Sequence, residues 1–228
     1  DNYSYIIIDS KNNACVVDPS EASPIIKFVE KNSINLKYIL NTHHHFDHIG
    51  GNIDLKNMYK LQVIGFDGDK NRIPGIDIFL KNNDIWRVEG FEAKIIHIPG
   101  HTSGHICFYF YNDQIAFTGD TLFSLGCGRI FEGTYKDMFE SLSKLKKLPH
   151  ETKIYCGHEY TLNNSIFCLN HDKENKELEG KVIDIKNKIR LNIPTVPSTI
   201  KEELAYNIFL RAKTLQEFSK LRDLKDNF

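Results

Sequence analysis

Short apolar runs alternate with polar turns and amphipathic stretches over about the first 160 residues of the chain. Residues 5–8 and 14–17 are rich in β-forming side chains and flank a polar turn, which predicts a hairpin. Helical spacing predicts helices over residues 24–31 and 135–147. Strands interleaved with helices in this way indicate a layered α/β body. Further runs of strand character lie at residues 37–41, 61–66, 93–98, 106–111, 114–118 and 153–156.

After residue 160 the strand signals stop and the pattern becomes helical. Apolar residues at 178, 182, 185 and 189 are four, three and four apart, which places them on one face of a helix over residues 173–190. Thr199 and Glu202 fit the capping box that begins another helix. We therefore predict an α/β domain over residues 1–160 and a small helical domain over residues 161–228.

Composition limits the classes of protein to which this chain can belong. Hydrophobic residues make up 41% of its 228 residues and charged residues 26%, a balance that excludes a disordered or collagen-like chain. The 29 basic and 30 acidic side chains give a net charge of -1, which argues against binding to nucleic acid or a membrane surface. No apolar run approaches the roughly 18 residues of a membrane-spanning helix.

Cysteine content bears on the compartment in which the protein works. The five cysteines are an odd number without C-x-x-C spacing, which favours a reducing compartment over a disulfide framework. We therefore expect a cytoplasmic protein, and a monomer whose partner is a small molecule. The chain begins at Asp1 rather than Met, so we expect it to be processed or truncated, with any upstream targeting segment undefined.

A dense cluster of metal-ligand side chains follows the strand predicted at residues 37–41. His43 and His45 are two apart at the strand exit, so that both imidazoles can point to one side. Asp47 and His48 begin the next helix, where they could face a second, adjacent ion. Imidazole and carboxylate ligands suit zinc, iron or manganese, and the lack of a paired cysteine disfavours a zinc finger. The alternative is a histidine-rich surface loop.

Three further segments place a ligand residue directly after a predicted strand. His101 and His105 lie in Pro-Gly-His-Thr-Ser-Gly-His, Asp120 ends Phe-Thr-Gly-Asp, and His158 lies in Cys-Gly-His-Glu. The neighbouring glycines let backbone approach an ion closely. A single histidine after a strand is more often a hydrogen-bonded structural residue, but the four segments together predict a metal site.

These motifs resemble those of the metallo-β-lactamase superfamily and, within it, the glyoxalase II (hydroxyacylglutathione hydrolase) family. The resemblance covers nearly the whole chain, although family members usually carry one more strand ahead of Asp1. The Gly-Cys-Gly-Arg loop at residues 126–129, Gly-His-Glu-Tyr at 157–160 and the helical tail narrow the resemblance to this family. It implies an αββα metallo-β-lactamase sandwich that carries the catalytic residues, followed by a small C-terminal all-α domain that binds substrate.

The resemblance implies two divalent metal ions, with zinc expected first and iron or manganese also accepted by such ligands. The implied ligands are His43, His45 and His101 for the first ion, Asp47, His48 and His158 for the second, and Asp120 as a bridge between both. Asp47 and Asp120 would be the catalytic carboxylates, acting with a hydroxide that bridges the metals. His44 and His105 are expected not to be ligands, and His97, His150 and His171 to be structural or exposed. Cys127 is expected to be a loop residue rather than a nucleophile.

In the same way, the resemblance implies glutathione contacts from Arg129, Phe131, Tyr160, Arg222 and Lys225. Arg129 replaces the commoner lysine and keeps its charge, whereas Phe131 replaces a tyrosine and lacks its hydroxyl. Arg222 and Lys225 lie one helical turn apart, where both could meet the glycine carboxylate of glutathione. Two cations favour glutathione over a polyamine-capped thiol such as trypanothione, which lacks that carboxylate and carries positive charge. The alternative is that the two cations belong to an ordinary solvated helix face.

The implied reaction is the hydrolysis of S-D-lactoylglutathione to glutathione and D-lactate, which completes the removal of methylglyoxal. A mononuclear iron glutathione persulfide dioxygenase of the same fold is an alternative, disfavoured by the long helical tail and its basic pair. An RNA-processing nuclease would need a large basic exosite that the net charge of -1 does not provide. A catalytically silent metal or glutathione binder would lack a ligand, and no ligand residue is missing from the motifs.

Overall fold

Two β-sheets form the centre of the protein, whose computed structural model describes residues 2–228. The first sheet has the strand order β1-β2-β3-β4-β5, with β1 antiparallel to β2 and the other neighbours parallel. Its strands are β1 (Tyr5–Ile8), β2 (Asn13–Val17), β3 (Asn35–Leu40), β4 (Gln62–Phe66) and β5 (Ile76–Leu80). Their short connections carry the helices α1 (Ala22–Lys31), α2 (Phe46–Ile49) and α3 (Asn52–Tyr59) and a 3₁₀ turn at Asp67–Asp69.

The second sheet has the order β13-β12-β9-β8-β7-β6 and is antiparallel except where β12 runs parallel to β9. Its strands are β6 (Ile85–Val88), β7 (Phe91–His97), β8 (Ile106–Phe110), β9 (Ile115–Gly119), β12 (Lys153–Cys156) and β13 (Ser198–Thr199). β10 (Leu122–Phe123) and β11 (Gly126–Cys127) form a separate two-stranded ribbon beside the second sheet. The remaining helices are α4 (Tyr135–Leu145), α5 (Thr161–His171), α6 (Lys176–Arg190), α7 (Ile200–Tyr206), α8 (Ile208–Arg211) and α9 (Leu215–Asp226).

The apolar side chains divide into layers that define the sandwich. Val17 and Ile64 of the first sheet pack with Phe108 and Phe117 of the second in one buried cluster between the sheets. On the outer face of the first sheet, α1 and α3 contribute to a separate cluster. On the outer face of the second sheet, α4 and the C-terminal helices form a third. The order helix, sheet, sheet, helix confirms the αββα fold and the helical C-terminal region.

The C-terminal helices share their core with the sandwich. Met138 of α4 belongs to the same buried cluster as Phe167, Phe209 and Phe218 of α5, α8 and α9. The two-residue strand β13, which the sequence did not predict, pairs with the edge of β12. Removing these helices would therefore expose apolar surface of the second sheet. The domain boundary at residues 160 and 161 remains a prediction.

Several local predictions are confirmed by the structure. β1 and β2 form the expected hairpin, with Tyr5 opposite Val17. The Thr199 hydroxyl accepts a hydrogen bond from the N–H of Glu202, and the Glu202 side chain caps in return, as the capping box predicts. The helix predicted at residues 173–190 begins at Lys176.

The helix α3 and the strands β5 and β6 were missed by the sequence analysis. Only Asn52 and Leu55 of α3 are buried, so this helix lacks the broad apolar stripe that reveals a helix in a sequence. The two strands lie at sheet edges, and their exposed positions include the apolar residues Phe79 and Ile85, which blur the alternation that predicts a strand. Within residues 2–228 no helix is both long and apolar enough to cross a membrane.

Because the C-terminal helices share a core with the sandwich, we expect one cooperative unfolding transition rather than two. Phe218→Ala, at a fully buried position, should lower the free energy of unfolding by about 3–5 kcal/mol. Leu215→Ala, on the same helix but 38% exposed, should cost less than about 1 kcal/mol. Denaturant unfolding followed by circular dichroism tests both, and a separate transition of the helices would contradict a shared core.

Candidate metal centre and substrate cavity

The ligand residues predicted from the sequence all lie where strands end. His43 and His45 follow β3, and His45 is the residue before helix α2, which carries Asp47 and His48. His101 lies in the loop after β7. Since β9 and β12 are parallel neighbours, with Cys156 opposite Gly119, their ends deliver Asp120 and His158 to the same sheet edge. The layered sheets thus bring together side chains that are more than a hundred positions apart.

One group of three histidines forms the first candidate ion site. The ligand nitrogens of His43, His45 and His101 all lie within 4.8 Å of one another. His101 Nε2 is 3.0 Å from His45 Nδ1 and 3.5 Å from Asp120 Oδ2. Such short separations between imidazole nitrogens are those of ligands that share one ion.

A second group lies beside the first and meets it at Asp120. The ligand atoms of Asp47, His48 and His158 also lie within 4.8 Å of one another. Asp120 Oδ2 is 3.2 Å from His158 Nε2, and Asp120 Oδ1 is 3.4 Å from His48 Nε2. The Asp120 carboxylate therefore touches both groups, which is the position of a bridging ligand.

The outward-facing nitrogens of the histidines are held by hydrogen bonds. His48 Nδ1 donates to Asp18 Oδ2 at 3.1 Å, and His43 Nδ1 lies 3.0 Å from the Thr42 hydroxyl, which itself donates to Asp18 Oδ2 at 2.7 Å. His101 Nδ1 donates to the Arg129 carbonyl at 2.8 Å. These contacts fix the ring orientations and direct the other ring nitrogens toward the candidate ion sites.

Asp18 is central to this network and 3% exposed, but no role for it was predicted from the sequence. It directly follows β2, the parallel neighbour of β3, and its Oδ1 accepts the N–H of Thr42 at 2.8 Å. A carboxylate at the end of an apolar strand, in Val-Val-Asp-Pro, was the available signal.

A bound cation would resolve the unpaired polar atoms of this cluster. His43 Nε2, His48 Nε2 and Asp120 Oδ1 are buried without a hydrogen bond, and the last two meet only as an ion pair at 3.4 Å, a costly state for polar groups. A Cβ on Gly157 would come within 2.3 Å of Asp120 Oδ1, so the glycine beside His158 keeps space open at the cluster. Nitrogen and carboxylate ligands in this number fit zinc, iron or manganese.

Burial prepares the first group of histidines to bind a metal. It holds the pKa of His43 well below its usual range and lowers that of His101. It also lowers the pKa of His45 to about 4, helped by the neighbouring His101. These imidazoles are therefore neutral at physiological pH, the form in which a histidine binds a metal.

Charges oppose burial in the second group. Burial would lower the pKa of His48, but the carboxylates of Asp120 and Asp18 outweigh it and raise the value well above the usual range. Burial would raise the pKa of Asp120, but the neighbouring His158 and His48 bring it well below its usual range. An ion that binds here would displace the proton of His48 and replace its charge.

The histidines predicted not to be ligands have other contacts. His105 Nε2 accepts the N–H of Asp120 at 3.0 Å, and its ring stacks on His43 with centroids 4.6 Å apart. His44 Nδ1 lies 3.2 Å from Asp69 Oδ2. His97 Nε2 donates to the Ser103 carbonyl at 2.9 Å, and His150 and His171 are exposed.

A cavity of about 630 Å³ opens over the two groups of ligands. All five residues that the resemblance assigned to glutathione line it, together with five of the seven ligand residues. No role was predicted for its other walls, among them Phe123, Asn163, Asn164 and Phe228.

Arg222 does not lie on a solvated helix face, so that alternative is wrong for this residue. It is 2% exposed, and its guanidinium donates to the Cys127 carbonyl at 2.7 Å. The same group meets the Asp226 carboxylate at 2.9 Å and lies over the ring of Phe209. Arg222 thus holds the Gly-Cys-Gly loop by a hydrogen bond and also lines the cavity.

Lys225 is a half-buried cation at the cavity. Its ammonium donates to Asn163 Oδ1 and lies 4.8 Å from the ring centroid of Phe228 and 5.2 Å from that of Phe167. Burial, with the nearby charge of Arg222, lowers its pKa to about 8. This environment leaves its charge only partly compensated by protein groups.

The other three predicted substrate residues form the rim of the cavity. Arg129 is 64% exposed with its Nε 3.7 Å from Asp226. Phe131 is 63% exposed and packs edge-on against His101 with centroids 5.2 Å apart. Tyr160 stacks on His158 at 4.8 Å. Aromatic rings therefore flank the ligands at two places.

Cys127 lies in the cavity wall but is not an activated thiol. It is 6% exposed, and burial raises its pKa although Arg222 acts in the opposite direction. A thiol with a raised pKa is a poor nucleophile at neutral pH.

A buried carboxylate supports the ribbon that leads to this loop. Glu203 of α7 is fully buried, and its Oε2 accepts from the N–H of Leu125 at 2.9 Å and from Asn207 Nδ2 at 2.8 Å. Asn207 also donates to the Gly126 carbonyl at 3.0 Å. Burial raises the pKa of Glu203 to about 7. The C-terminal helices thus position the loop as well as lining the cavity.

Two family models together match the whole chain. The model of the metallo-β-lactamase superfamily matches residues 1–158, and that of the hydroxyacylglutathione hydrolase C-terminus matches residues 159–228. A hydroxyacylglutathione hydrolase of Pelagibacter ubique is 65% identical over 229 residues, covering 100% of this chain and 96% of that protein. The chain belongs to the hydroxyacylglutathione hydrolase family. This confirms the resemblance inferred from the motifs.

Other relatives and solved structures agree. A hydroxyacylglutathione hydrolase of Methylococcus capsulatus is 41% identical, with 100% of this chain and 95% of that protein covered. The crystal structure of ETHE1 from Myxococcus xanthus superposes with a TM-score of 0.75 at 24% identity, covering 97% of this chain and 85% of that one. At this identity the similarity concerns the fold alone. The protein TTHA1623, solved in a di-iron-bound form, is 28% identical with a TM-score of 0.58, over 69% of this chain and 87% of that one.

We expect Asp18→Asn to weaken ion binding in this family member by about 10–100-fold. The carboxylate accepts three hydrogens, two from Thr42 and one from His48, and an amide offers a single acceptor oxygen for them. Titration of the metal-free protein with Zn²⁺ against a chelator measures the affinity. Asp54→Asn, at an exposed position of α3, is the charge-matched control. Equal affinities in the two variants would contradict a role for Asp18.

Proposed function

We propose that the protein is a binuclear-metal thioester hydrolase that converts S-D-lactoylglutathione and water to glutathione and D-lactate, a step of methylglyoxal detoxification. The observation that carries this proposal is the meeting of two three-ligand groups at Asp120, at one end of a cavity whose other walls carry Lys225 and Arg129. Membership of the hydroxyacylglutathione hydrolase family favours this reaction over that of a persulfide dioxygenase.

We infer two ions rather than one. Support comes from two ligand groups, each within 4.8 Å internally, and from the di-iron-bound form of TTHA1623, which is 28% identical. Asp18 forms a third such group with His43 and His48, but its oxygens already accept hydrogen bonds from Thr42 and His48. His43, His45 and His101 would hold one ion, Asp47, His48 and His158 the other, and Asp120 both. Zinc is our first expectation, with iron or manganese accepted by the same ligands.

When bound, the ions would supply an activated hydroxide at neutral pH and polarise the carbonyl of the substrate. The protein would contribute the fixed positions of the ligand rings and two ionised carboxylates. Asp120 is buried between the groups, whereas the Asp47 side chain is 47% exposed on the cavity wall. From there an oxygen of Asp47 can accept the proton that the attacking water releases. These positions support the catalytic roles of Asp47 and Asp120.

A thioester suits a site without a strong general acid. Its carbonyl is more electrophilic than that of an amide, and a thiolate leaves readily because an ordinary thiol has a pKa of about 8.5. Among the residues that line the cavity, no thiol or hydroxyl is placed as an activated nucleophile, since burial raises the pKa values of both Cys127 and Tyr160. This fits attack by water rather than by a side chain.

Glutathione would extend from the metal centre toward α9. Lys225 would meet the glycine carboxylate of the substrate, with Arg129 at the rim, while Phe131 and Tyr160 would pack along the peptide. Arg222 would act mainly through the Cys127–Gly128 loop, because its guanidinium is already engaged there. Phe131 has no hydroxyl to offer, so its contribution would be apolar contact alone.

We also propose a cytoplasmic monomer. All five cysteines are free and buried, which suits a reducing compartment. The cavity and both ligand groups are assembled from one chain, so a second copy is not needed to complete them.

The test of the proposed reaction is hydrolysis of S-D-lactoylglutathione, followed as loss of the thioester, together with metal analysis. We expect turnover with two ions per chain, and its abolition in Asp120→Ala because the bridging carboxylate is lost. Asp113→Ala, at an exposed turn, should retain the wild-type rate. A single iron with oxygen uptake on glutathione persulfide would instead show the dioxygenase.

The pKa of Lys225 predicts a pH-dependent affinity for the substrate. Below its pKa of about 8 the ammonium is charged and attracts the glutathione carboxylate, and above it the charge is lost. KM should therefore rise by up to about tenfold between pH about 7 and about 9, a loss of about 1.4 kcal/mol in binding.

Lys225→Arg is the control for this effect, because a guanidinium keeps its charge over that range. Its KM should vary much less with pH, whereas Lys225→Ala should show a high KM at every pH with kcat little changed. Identical pH profiles of KM in wild type and Lys225→Arg would contradict the assignment. Lys225 is preferable to Arg222 as a probe, since substitution of the buried Arg222 would also release the loop.

A further inference from the structure

The Asp47 carboxylate is the least enclosed ligand of the second group. Its side chain is 47% exposed, compared with 8% for Asp120, 5% for His158 and 1% for His48. An exposed carboxylate on a four-residue helix retains rotamer freedom that an ion would have to remove on binding. Some other group must therefore orient it if the second site is to be ready for an ion.

The side-chain amide of Asn2 supplies such a contact. Asn2 Nδ2 donates to the Asp47 carbonyl at 2.9 Å and to Asp47 Oδ2 at 3.0 Å, so one amide group holds both the backbone and the carboxylate of the same residue. The carbonyl is available because the N–H of Gly51, four residues on, donates to Pro19 instead.

The oxygen that Asn2 contacts is also the one that faces the second ion site. Asp47 Oδ2 lies 3.4 Å from His158 Nε2 and 3.7 Å from His48 Nε2. A carboxylate oxygen has more than one lone pair and can accept a hydrogen bond while it binds an ion. The Asn2 amide thus selects the carboxylate rotamer that points toward the other two ligands.

The backbone of Asn2 is itself tied to another ligand of this site. Asn2 forms an antiparallel bridge with His158, and the N–H of Tyr3 donates to the Gly157 carbonyl at 2.8 Å. The Tyr3 hydroxyl donates to Glu159 at 2.6 Å, a separate contact that involves neither Asn2 nor Asp47. Asn2 therefore spans the loop of Asp47 and the end of β12, the two parts of the fold that must meet at the second ion.

We propose that Asn2 is a positioning residue of the second ion site, which fixes the Asp47 carboxylate relative to His158. The inference rests on the two-ion site of the proposed function. It assigns Asn2 no contact with substrate or with an ion. Its expected effect is on affinity for the second ion, since loss of a hydrogen bond to a ligand typically weakens metal binding about 10–100-fold.

The experiment is a Zn²⁺ titration of the metal-free full chain against a chromophoric chelator, for wild type, Asn2→Ala and Asn2→Leu. Leucine keeps the volume of the side chain without its donors. We expect wild type to bind two ions and both variants to bind the second ion about 10–100-fold more weakly, with the first unchanged. Anomalous diffraction from crystals with one equivalent of Zn²⁺ locates the retained ion, which we expect at His43, His45 and His101.

Tyr3→Phe is the matched control, because it removes a hydrogen bond from the same segment without touching Asp47. It should leave both affinities at the wild-type value, and the melting temperature of metal-free Asn2→Ala should equal that of wild type. Unchanged affinities in the Asn2 variants, or equal weakening of both ions, would overturn the inference while leaving the hydrolase intact. A wild-type protein that binds a single ion would overturn both the inference and the two-ion function.

Discussion

The Asp120 carboxylate is the constraint on which the site depends. It is 5% exposed, lies 3.2–3.5 Å from nitrogens of His158, His48 and His101, and carries an oxygen without a hydrogen bond. A buried negative charge among imidazoles is tolerable only when positive charge compensates it. Without a metal, the protonated His48 supplies part of this charge. Two divalent cations would supply more and would satisfy the unpaired ligand atoms at the same time.

The sandwich makes this arrangement possible by ending several strands at one place. The ligand residues come from the ends of β3, β7, β9 and β12, which belong to two different sheets. Apolar packing between the sheets sets the distance between these ends. The ligands can therefore be rigid although most lie in loops, because Asp18 and His105 accept hydrogen bonds from His48 and Asp120 and the Thr42 hydroxyl contacts His43.

The C-terminal helices complete the cavity with positively charged side chains. They contribute Lys225 and Arg222 to the walls, and Glu203 and Asn207 hold the ribbon that precedes the Gly-Cys-Gly loop. Metal ligands and cationic side chains thus line the same cavity. A substrate that has both a reactive carbonyl and a carboxylate can use both features. The shared core explains why these helices can hold such positions.

The sequence by itself determined the fold class, the family and the set of candidate ligands. Unusual residue types at short, specific spacings carried that information, as in the run from His43 to His48, and periodicity revealed the hairpin and α6. It did not reveal α3, because few of its residues are buried, or β5 and β6, because apolar residues also occupy exposed positions of these edge strands.

Only the tertiary structure decided which partners each group meets. Asp18 and Asn2 contact the ligand loop from 24 to 45 positions away, and no local pattern in the sequence encodes such contacts. The burial of Arg222 also depends on packing. The spacing of Arg222 and Lys225 placed both on one face of α9. Only the fold showed that Arg222 holds the Cys127 loop, whereas Lys225 lies among aromatic rings at the cavity. Spacing specifies chemistry along the chain, whereas burial and partners arise when distant segments pack together.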